Sequence, residues 1–220
     1  GKVVKFDPES IGFFGHSQGG LTGPLYLAVE DDVSAAVLSG AGGGLAYTIL
    51  LRKQLDSGMD MDIKDAVENA LKLVFDDELT LFHPVMTLMQ HLVDVTDPLN
   101  FSPLYFHPRL RAEPLNVFIT EGIEDPYTPA VTTENLALAG GIPPLLPIKN
   151  HHKGFDLLGK TVTTPIKNNM KQPDGTVATA ALAQYAGAGH FVAFDNSDCR
   201  ALWLTFLSSA LHDHTAVIDK

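Results

Sequence analysis

Short unbroken apolar runs alternate with helix-period stretches along this chain, and the alternation begins close to its first residue. Ile11 to Phe14 is an apolar, strand-like run that breaks into Gly15-His16-Ser17-Gln18-Gly19-Gly20, and Gly19 to Glu30 reads as a helix. Ala35 to Ser39 (AAVLS) is a second buried strand, closed by the glycine-rich GAGGG of residues 40–44. Strand, helix and strand at this spacing predict a parallel βαβ unit. The same rhythm returns later with LNVFIT (Leu115 to Thr120), a helix over Ala130 to Ala139, a strand over Ala180 to Ala186 and a helix over Ser197 to Leu211. Asp198 is the predicted cap of that last helix. Residues 140–174 have the prolines, glycines and polar clusters of loops.

Leu45 to Pro114 interrupts the rhythm. Ile63, Val67, Leu71 and Val74 share one face of a helix, and Pro84 opens a second apolar helix with Val85, Met86, Leu88, Met89, Leu92 and Val93. Four of the five methionines fall in this stretch, and methionine adapts to irregular apolar surfaces. The expectation is an α/β domain whose residues 45–114 form a helical insertion, either ordinary helical core, a substrate-covering lid, or a docking surface for a partner.

Composition narrows the functions open to such a domain. With 45% hydrophobic and 19% charged residues, the 220-residue chain has enough apolar content for a real core. A net charge of −11 repels phosphate backbones, so nucleic acid is not an expected partner. No run of about 18 apolar residues is present to span a membrane. The opening GKVVKFDPES lacks the apolar core and cleavage site of a signal peptide, so any signal would lie upstream, and secretion or a periplasmic location stays compatible. The single cysteine, Cys199, excludes an internal disulfide and does not decide the compartment.

The chemistry gathers at predicted strand ends. Gly15, Ser17 and Gly19 make G-x-S-x-G between a predicted strand and a predicted helix. A serine hydroxyl is a poor nucleophile unless it is exposed, oriented and next to a base. A sharp strand-to-helix turn exposes it, the flanking glycines Gly15 and Gly19 permit the turn because a side chain there is expected to collide with the neighbouring backbone, and the helix N-terminus faces developing negative charge. The bland alternative is a glycine-rich turn whose serine caps a helix. A triad on this kind of turn needs an acid and then a histidine further along the chain. Asp125 follows the LNVFIT strand and His190 follows the last strand, so all three candidates sit at C-terminal strand ends. Glu121 and Glu124 are rivals for the acid role. Among nine histidines, His16 lies inside the turn and is expected to point away from the adjacent hydroxyl, and His83, His91 and His107 belong to the insertion. The pairs His151/His152 and His212/His214 lack the acid or cysteine company of a zinc site, so no metal is expected.

These residues resemble the α/β-hydrolase family, in particular its lipase and esterase-like members. The resemblance rests on GHSQGG for the nucleophile elbow, TEGIEDPYTP for the acid loop and GAGHFVAFDN for the histidine loop. It covers most of the chain outside residues 45–114, where such hydrolases carry a variable cap. It implies a parallel sheet with helices on both faces, Ser17 as nucleophile, His190 as general base and acid, Asp125 as its orienting partner, and Gln18 as one oxyanion N–H donor. It implies a carboxylic-ester hydrolase acting on apolar esters or lipids without a cofactor. An amidase or acyltransferase on the same triad, or a non-catalytic binding module of the same fold, are the alternatives. Family members have about four or five strands before the elbow strand, and few residues precede it here. Residues 1–220 are therefore expected to be the C-terminal portion of such a domain, lacking the loop with the second oxyanion donor and completed by an N-terminal companion segment as a separate chain. Loss of one such donor typically lowers the rate by about 10²–10³.

Overall fold

In the computed structural model, which describes residues 5–8, 10–53, 63–75, 78–106 and 108–219, the main apolar runs assemble into one parallel sheet. Strand β1 (Ile11–His16) leads through helix α1 (Gln18–Leu27) to β2 (Val33–Ser39). The inserted helices α2 (Leu45–Leu51), α3 (Ile63–Phe75) and α4 (Pro84–Val93) follow, then short 3-10 turns up to Tyr105. The alternation resumes with β3 (Asn116–Gly122) and α5 (Ala130–Ala139). Next come α6 (Lys153–Leu158), a small hairpin of β4 (Met170–Lys171) and β5 (Val177–Ala178), β6 (Ala180–Tyr185), α7 (Val192–Asp195) and α8 (Ser197–His212). The sheet order is β1-β2-β3-β6, every neighbouring pair is parallel, and β1 lies at an edge.

Period-two alternation assigns the strands' side chains to two cores. Ala36 and Leu38, Val117 and Ile119, and Ala180 and Leu182 pack with Leu27 of α1 and with Leu136 and Ala137 of α5. Their neighbours Ala35 and Val37, Phe118, and Ala181 and Ala183 pack with Leu202, Phe206 and Ala210 of α8. The strands are apolar on both faces because both faces are covered. A parallel sheet with helices on both sides and a helical insertion between β2 and β3 is the arrangement of an α/β-hydrolase core with a cap region.

Several details differ from the sequence expectations. β1 and β3 each run two residues past their predicted ends, because His16 still registers with Ser39 and Gly122 with Tyr185. The cap of α8 is Asn196, whose side chain accepts the Cys199 N–H at 2.9 Å, and Asp198 instead lies in the first turn. The stretch after Gly140 is more ordered than a loop: Leu145 N–H donates to Leu182 O at 2.8 Å, and α6 follows. Prolines 143, 144 and 147 lack the donors a full ladder needs. In the insertion Leu71 and Met86 are buried, whereas Val74, Leu88 and Leu92 are exposed, and the side chain of Ile63 lies outside the described residues. Periodicity located these helices and overstated how much of their apolar faces is covered.

Two buried polar side chains fasten the segment between β2 and β3. Asp97 accepts the N–H groups of Gly44 (2.9 Å), Leu45 (2.7 Å) and Leu99 (3.0 Å) and the Gln90 amide (2.8 Å). Gln90 Oε1 accepts from Ala46 N–H at 3.1 Å, so side chains supply acceptors for the first N–H groups of α2 that the helix itself leaves unpaired. Arg111 is buried and donates to the carbonyls of Leu27, Glu30 and Val33, tying the turn between α1 and β2 to the chain that enters β3.

Candidate active site

The backbone at Ser17 carries the first sign of a site. Ser17 has φ 54° and ψ −118°, a conformation uncommon for a residue with a side chain, at the step from β1 into α1. Its N–H donates to Ser39 O at 3.0 Å, and its carbonyl accepts from Gly20 and Leu21 N–H at 2.8 and 3.0 Å. A Cβ added at Gly15 would lie 2.5 Å from Gly19 O, so the turn requires a glycine there. At Gly19 a Cβ would meet open space, which corrects the expectation of a collision; the second crowded position is Gly20, 2.9 Å from Ser39 O. Gln18 is the first residue of α1, so its N–H has no intrahelical acceptor.

Two loops beyond the ends of β3 and β6 bring an acid to a histidine. Asp125 Oδ1 accepts the N–H groups of Tyr127 (2.8 Å) and Thr128 (2.9 Å). Its Oδ2 accepts the Thr128 hydroxyl (2.6 Å) and His190 Nδ1–H (2.8 Å), and both partners of this pair are buried. Burial alone would raise the Asp125 carboxyl; the hydrogen bonds from His190, Thr128 and Tyr127 outweigh it and hold the group below the ordinary aspartate value. An ionised carboxylate can only accept, so the Nδ1 that faces it is the ring nitrogen that carries the hydrogen. The loops are stitched by Ile123 N–H to Tyr185 O (3.1 Å) and Glu124 N–H to Ala188 O (2.9 Å), and a side chain at Gly122 would collide with the Gly189 carbonyl. Of the rival acids, Glu124 is exposed. Glu121 is buried with Glu134 and Gln184, and burial followed by the Glu134 charge pushes its carboxyl up to about 9.

Aromatic rings surround the imidazole of His190. The rings of His16, Tyr127 and Phe191 lie 4.7, 4.8 and 5.2 Å from it, centre to centre. His16 also meets Phe194 edge-on at 4.9 Å, and its Nδ1 lies 3.4 Å from the Ser39 hydroxyl. Its Nε2 is buried without a partner, and burial, then the proximity of His190, keep His16 below the ordinary histidine value. The sequence reading gave His16 no part in the site, and the structure packs it against His190. Tyr127 and the phenylalanines were likewise not singled out, although Phe191 and Phe194 at i and i+3 after the histidine are a legible sign of an apolar wall. Arg52 Cζ sits 5.5 Å from the centre of the Tyr127 ring.

The structure joins Asp125 to His190 directly. Ser17 is linked to that pair through its chain neighbour His16, whose ring meets the His190 ring at 4.7 Å in a tilted arrangement, and a Cβ at Gly40 would lie 2.9 Å from His190 Cε1. Among the described residues no hydrogen bond joins the Ser17 hydroxyl to His190. Three other histidines have local roles: His83 and His152 cap α4 and α6 through Nδ1, and His151 pairs with Asp156 at 3.0 Å. His107 lies outside the described residues, and among those described no group of three His, Cys, Asp or Glu side chains is placed to hold a metal. No described helix is long and apolar enough to cross a membrane. In the insertion, Tyr47, Met86, Leu88, Gln90, His91 and Leu99 help line a cavity of about 540 Å³. A serine on a strained strand–helix turn beside a buried His–Asp pair contains the parts of nucleophilic acyl transfer.

No family model matches the chain, and no curated protein does. Solved structures do. A Mycobacterium tuberculosis puromycin-hydrolyzing peptidase aligns with 94% of this chain and 22% of its own, at 17% identity and a TM-score of 0.49. A Pyrococcus horikoshii acylaminoacyl peptidase aligns with 97% of this chain and 25% of its own, at 14% identity and a TM-score of 0.49. A Paleococcus ferrophilus monoacylglycerol lipase aligns with 89% of this chain and 66% of its own, at 15% identity and a TM-score of 0.39. The chain spans about a quarter of the length of the two peptidases.

Proposed function

We propose that this chain carries the catalytic centre of a serine hydrolase of the α/β-hydrolase superfamily that cleaves acyl compounds, amides as well as esters. Ser17 is the nucleophile, His190 the general base and acid, Asp125 its orienting partner, and the Gln18 N–H one oxyanion donor. The observation that carries this reading is the buried His190–Asp125 hydrogen bond of 2.8 Å beside the strained backbone of Ser17.

In this mechanism Ser17 Oγ attacks the carbonyl carbon while its proton passes to His190 Nε2. The oxyanion of the tetrahedral intermediate takes the Gln18 N–H, and the Asp125 carboxylate stabilises the imidazolium. His190 then protonates the leaving alcohol or amine, which departs and leaves an acyl-serine. Water, deprotonated by the same nitrogen, attacks that ester; the acid leaves and Ser17 recovers its proton. An alcohol leaving group makes the activity an esterase or lipase activity, and an amine makes it an amidase or peptidase activity. The aromatic walls favour neither leaving atom, so the ester expected from the sequence is widened to include the amide.

The insertion's first helix fits a covering role, since Lys53 N–H, just beyond α2, donates to Pro126 O of the acid loop at 3.0 Å. Among the described residues no strand pairs with the outer edge of β1, and we assign that edge as the seat of an N-terminal companion segment, because unpaired strand edges recruit strands. Denaturing mass spectrometry of the purified protein tests that assignment: a second polypeptide that co-purifies supports it, and a monodisperse, active 220-residue species removes it.

The central experiment labels the protein with a fluorophosphonate and measures turnover of matched p-nitrophenyl esters and p-nitroanilides. An adduct on Ser17, lost in Ser17→Ala along with turnover, is expected. An unlabelled Ser17 together with no hydrolysis of either substrate class overturns the reading.

A further inference from the structure

We infer that Arg52 is an anion-recognition residue at the rim of this site, and that preferred substrates carry a carboxylate several ångströms from the scissile carbonyl. This rests on the serine-hydrolase reading above and names its substrate class. Three of the four arginines have partners that account for them: Arg109 pairs with Asp174 at 2.8 Å, Arg111 donates to buried carbonyls, and Arg200 donates to Phe194 O. Among the described residues the Arg52 guanidinium has no ion pair and no hydrogen bond; its recorded contact is the face of Tyr127.

Its position is fixed from the backbone. Arg52 ends α2, with its N–H on Thr48 O at 3.0 Å, and the next residue donates to Pro126 O in the acid loop. The Tyr127 ring centre is 5.5 Å from the guanidinium carbon and 4.8 Å from the centre of the His190 ring, so the cation is within about 10 Å of that imidazole. An acyl chain held at Ser17 can span that gap. A guanidinium that meets an aromatic ring without a hydrogen bond keeps its N–H donors available, and those donors match a carboxylate in a two-pronged arrangement. The surrounding field works the other way. At a net charge of −11 the chain repels anions at long range, so a preference for an anionic substrate would have to come from a local cation.

A purely structural role would have Arg52 brace Tyr127 and interact with the C-terminal end of α2. The test separates the two. Mono-p-nitrophenyl adipate and p-nitrophenyl hexanoate have acyl chains of equal length and differ by one terminal carboxylate. The readout is the ratio of their kcat/KM values in wild type, Arg52→Gln and Arg52→Lys. A general loss through Tyr127 cancels in that ratio. We expect Arg52→Gln to lower the ratio about five-fold, the scale of a rim ion pair, with Arg52→Lys between the two. Salt at about 0.5 M screens the long-range repulsion in both proteins and the local attraction only where Arg52 is present, so the advantage of wild type over Arg52→Gln in this ratio should shrink. An unchanged ratio in Arg52→Gln overturns the inference while leaving the hydrolase reading intact. If the protein hydrolyses neither ester, that reading fails, and binding decides on Arg52. Ligand-observed NMR on Ser17→Ala would compare adipic acid monoanilide with hexananilide, with and without Arg52→Gln. Equal loss of both ligands, or no loss of either, then overturns it.

Discussion

Replacing Asp125 by asparagine exchanges one oxygen for an NH₂ group, and the geometry dictates which one. Oδ1 accepts two backbone N–H groups, from Tyr127 and Thr128 at 2.8 and 2.9 Å, so the amide oxygen has to take that place. The NH₂ group then occupies the place of Oδ2, facing the Thr128 hydroxyl at 2.6 Å and His190 Nδ1 at 2.8 Å. The hydroxyl can rotate to accept. Nδ1 can accept only by giving up its proton, which moves the hydrogen to Nε2 and removes the lone pair that should receive the Ser17 proton. The opposite amide orientation would set NH₂ against two backbone donors and forfeit two buried hydrogen bonds, at roughly 1–3 kcal/mol each. Asp125→Asn is therefore expected to lower kcat/KM by about 10⁴, or about 5.5 kcal/mol, with the loss in kcat. The assay is ester hydrolysis and the rate of fluorophosphonate labelling across pH, beside a urea-unfolding curve. Because the folded carboxyl is held below its unfolded value, its stability contribution is present above the ordinary aspartate pKa and is lost as pH falls through the folded one. The variant should lack that acid-side slope. A rate within ten-fold of wild type with normal stability would refute the tautomer argument.

Three further outcomes follow from buried polar groups near the site. His16→Ala should lower kcat about ten-fold by freeing the His190 ring, while His16→Phe keeps most of the activity; since folded His16 is held below the ordinary histidine value, both should flatten the loss of stability as pH falls below about 6.5, measured by urea unfolding. Folded Glu121 keeps its proton up to about 9 and the unfolded chain releases it near the ordinary glutamate value, so its contribution falls as pH rises between the two; Glu121→Gln should gain on the order of 2–4 kcal/mol over wild type at about pH 8 and almost nothing at about pH 4.5, and parallel pH–stability curves would exclude this. Asp97→Ala strands the N–H groups of Gly44, Leu45 and Leu99 and should cost about 3 kcal/mol, with faster hydrogen exchange at those three amides as the local signature.

How much of this was legible depends on whether the contact follows the chain or crosses it. The four strands of the main sheet and α5 were readable because a strand apolar on both faces leaves an unbroken run, and Ala130–Ala139 is bounded by Pro129 and Gly140, whereas the short β4–β5 hairpin left no such run. Asp125 and His190 were readable because each comes a few residues after a strand end, so chain order alone aligns them above the sheet. His16, Tyr127 and Arg52 were not readable as members of the site. Their ring contacts cross between β1, the acid loop, the histidine loop and the end of α2, and local periodicity carries no record of such neighbours. The misassigned cap is a different failure. Asn196 and Asp198 are both good capping residues two positions apart, and only the observed start of α8 chooses between them.

The rings around His190 set a conflict that Asp125 has to resolve. On the proposed mechanism the His190 ring, packed among those of His16, Tyr127 and Phe191, must take up a proton during the reaction. Its neighbour His16 stands 4.7 Å away, and two protonated rings at that distance repel each other. The Asp125 carboxylate is placed to offset that repulsion, and the buried surroundings strengthen its bond to Nδ1. The enclosure is incomplete on one side, where Phe191 and Phe194 are 52% and 43% exposed, and on the proposed mechanism that open face would admit the water deacylation needs. Removing Asp125 should therefore do more harm in the presence of His16 than in its absence. In a cycle of Asp125→Asn with His16→Phe, the double variant should be more active than the product of the two single losses implies, and strict additivity would mean that the two histidines do not share the cost of one proton.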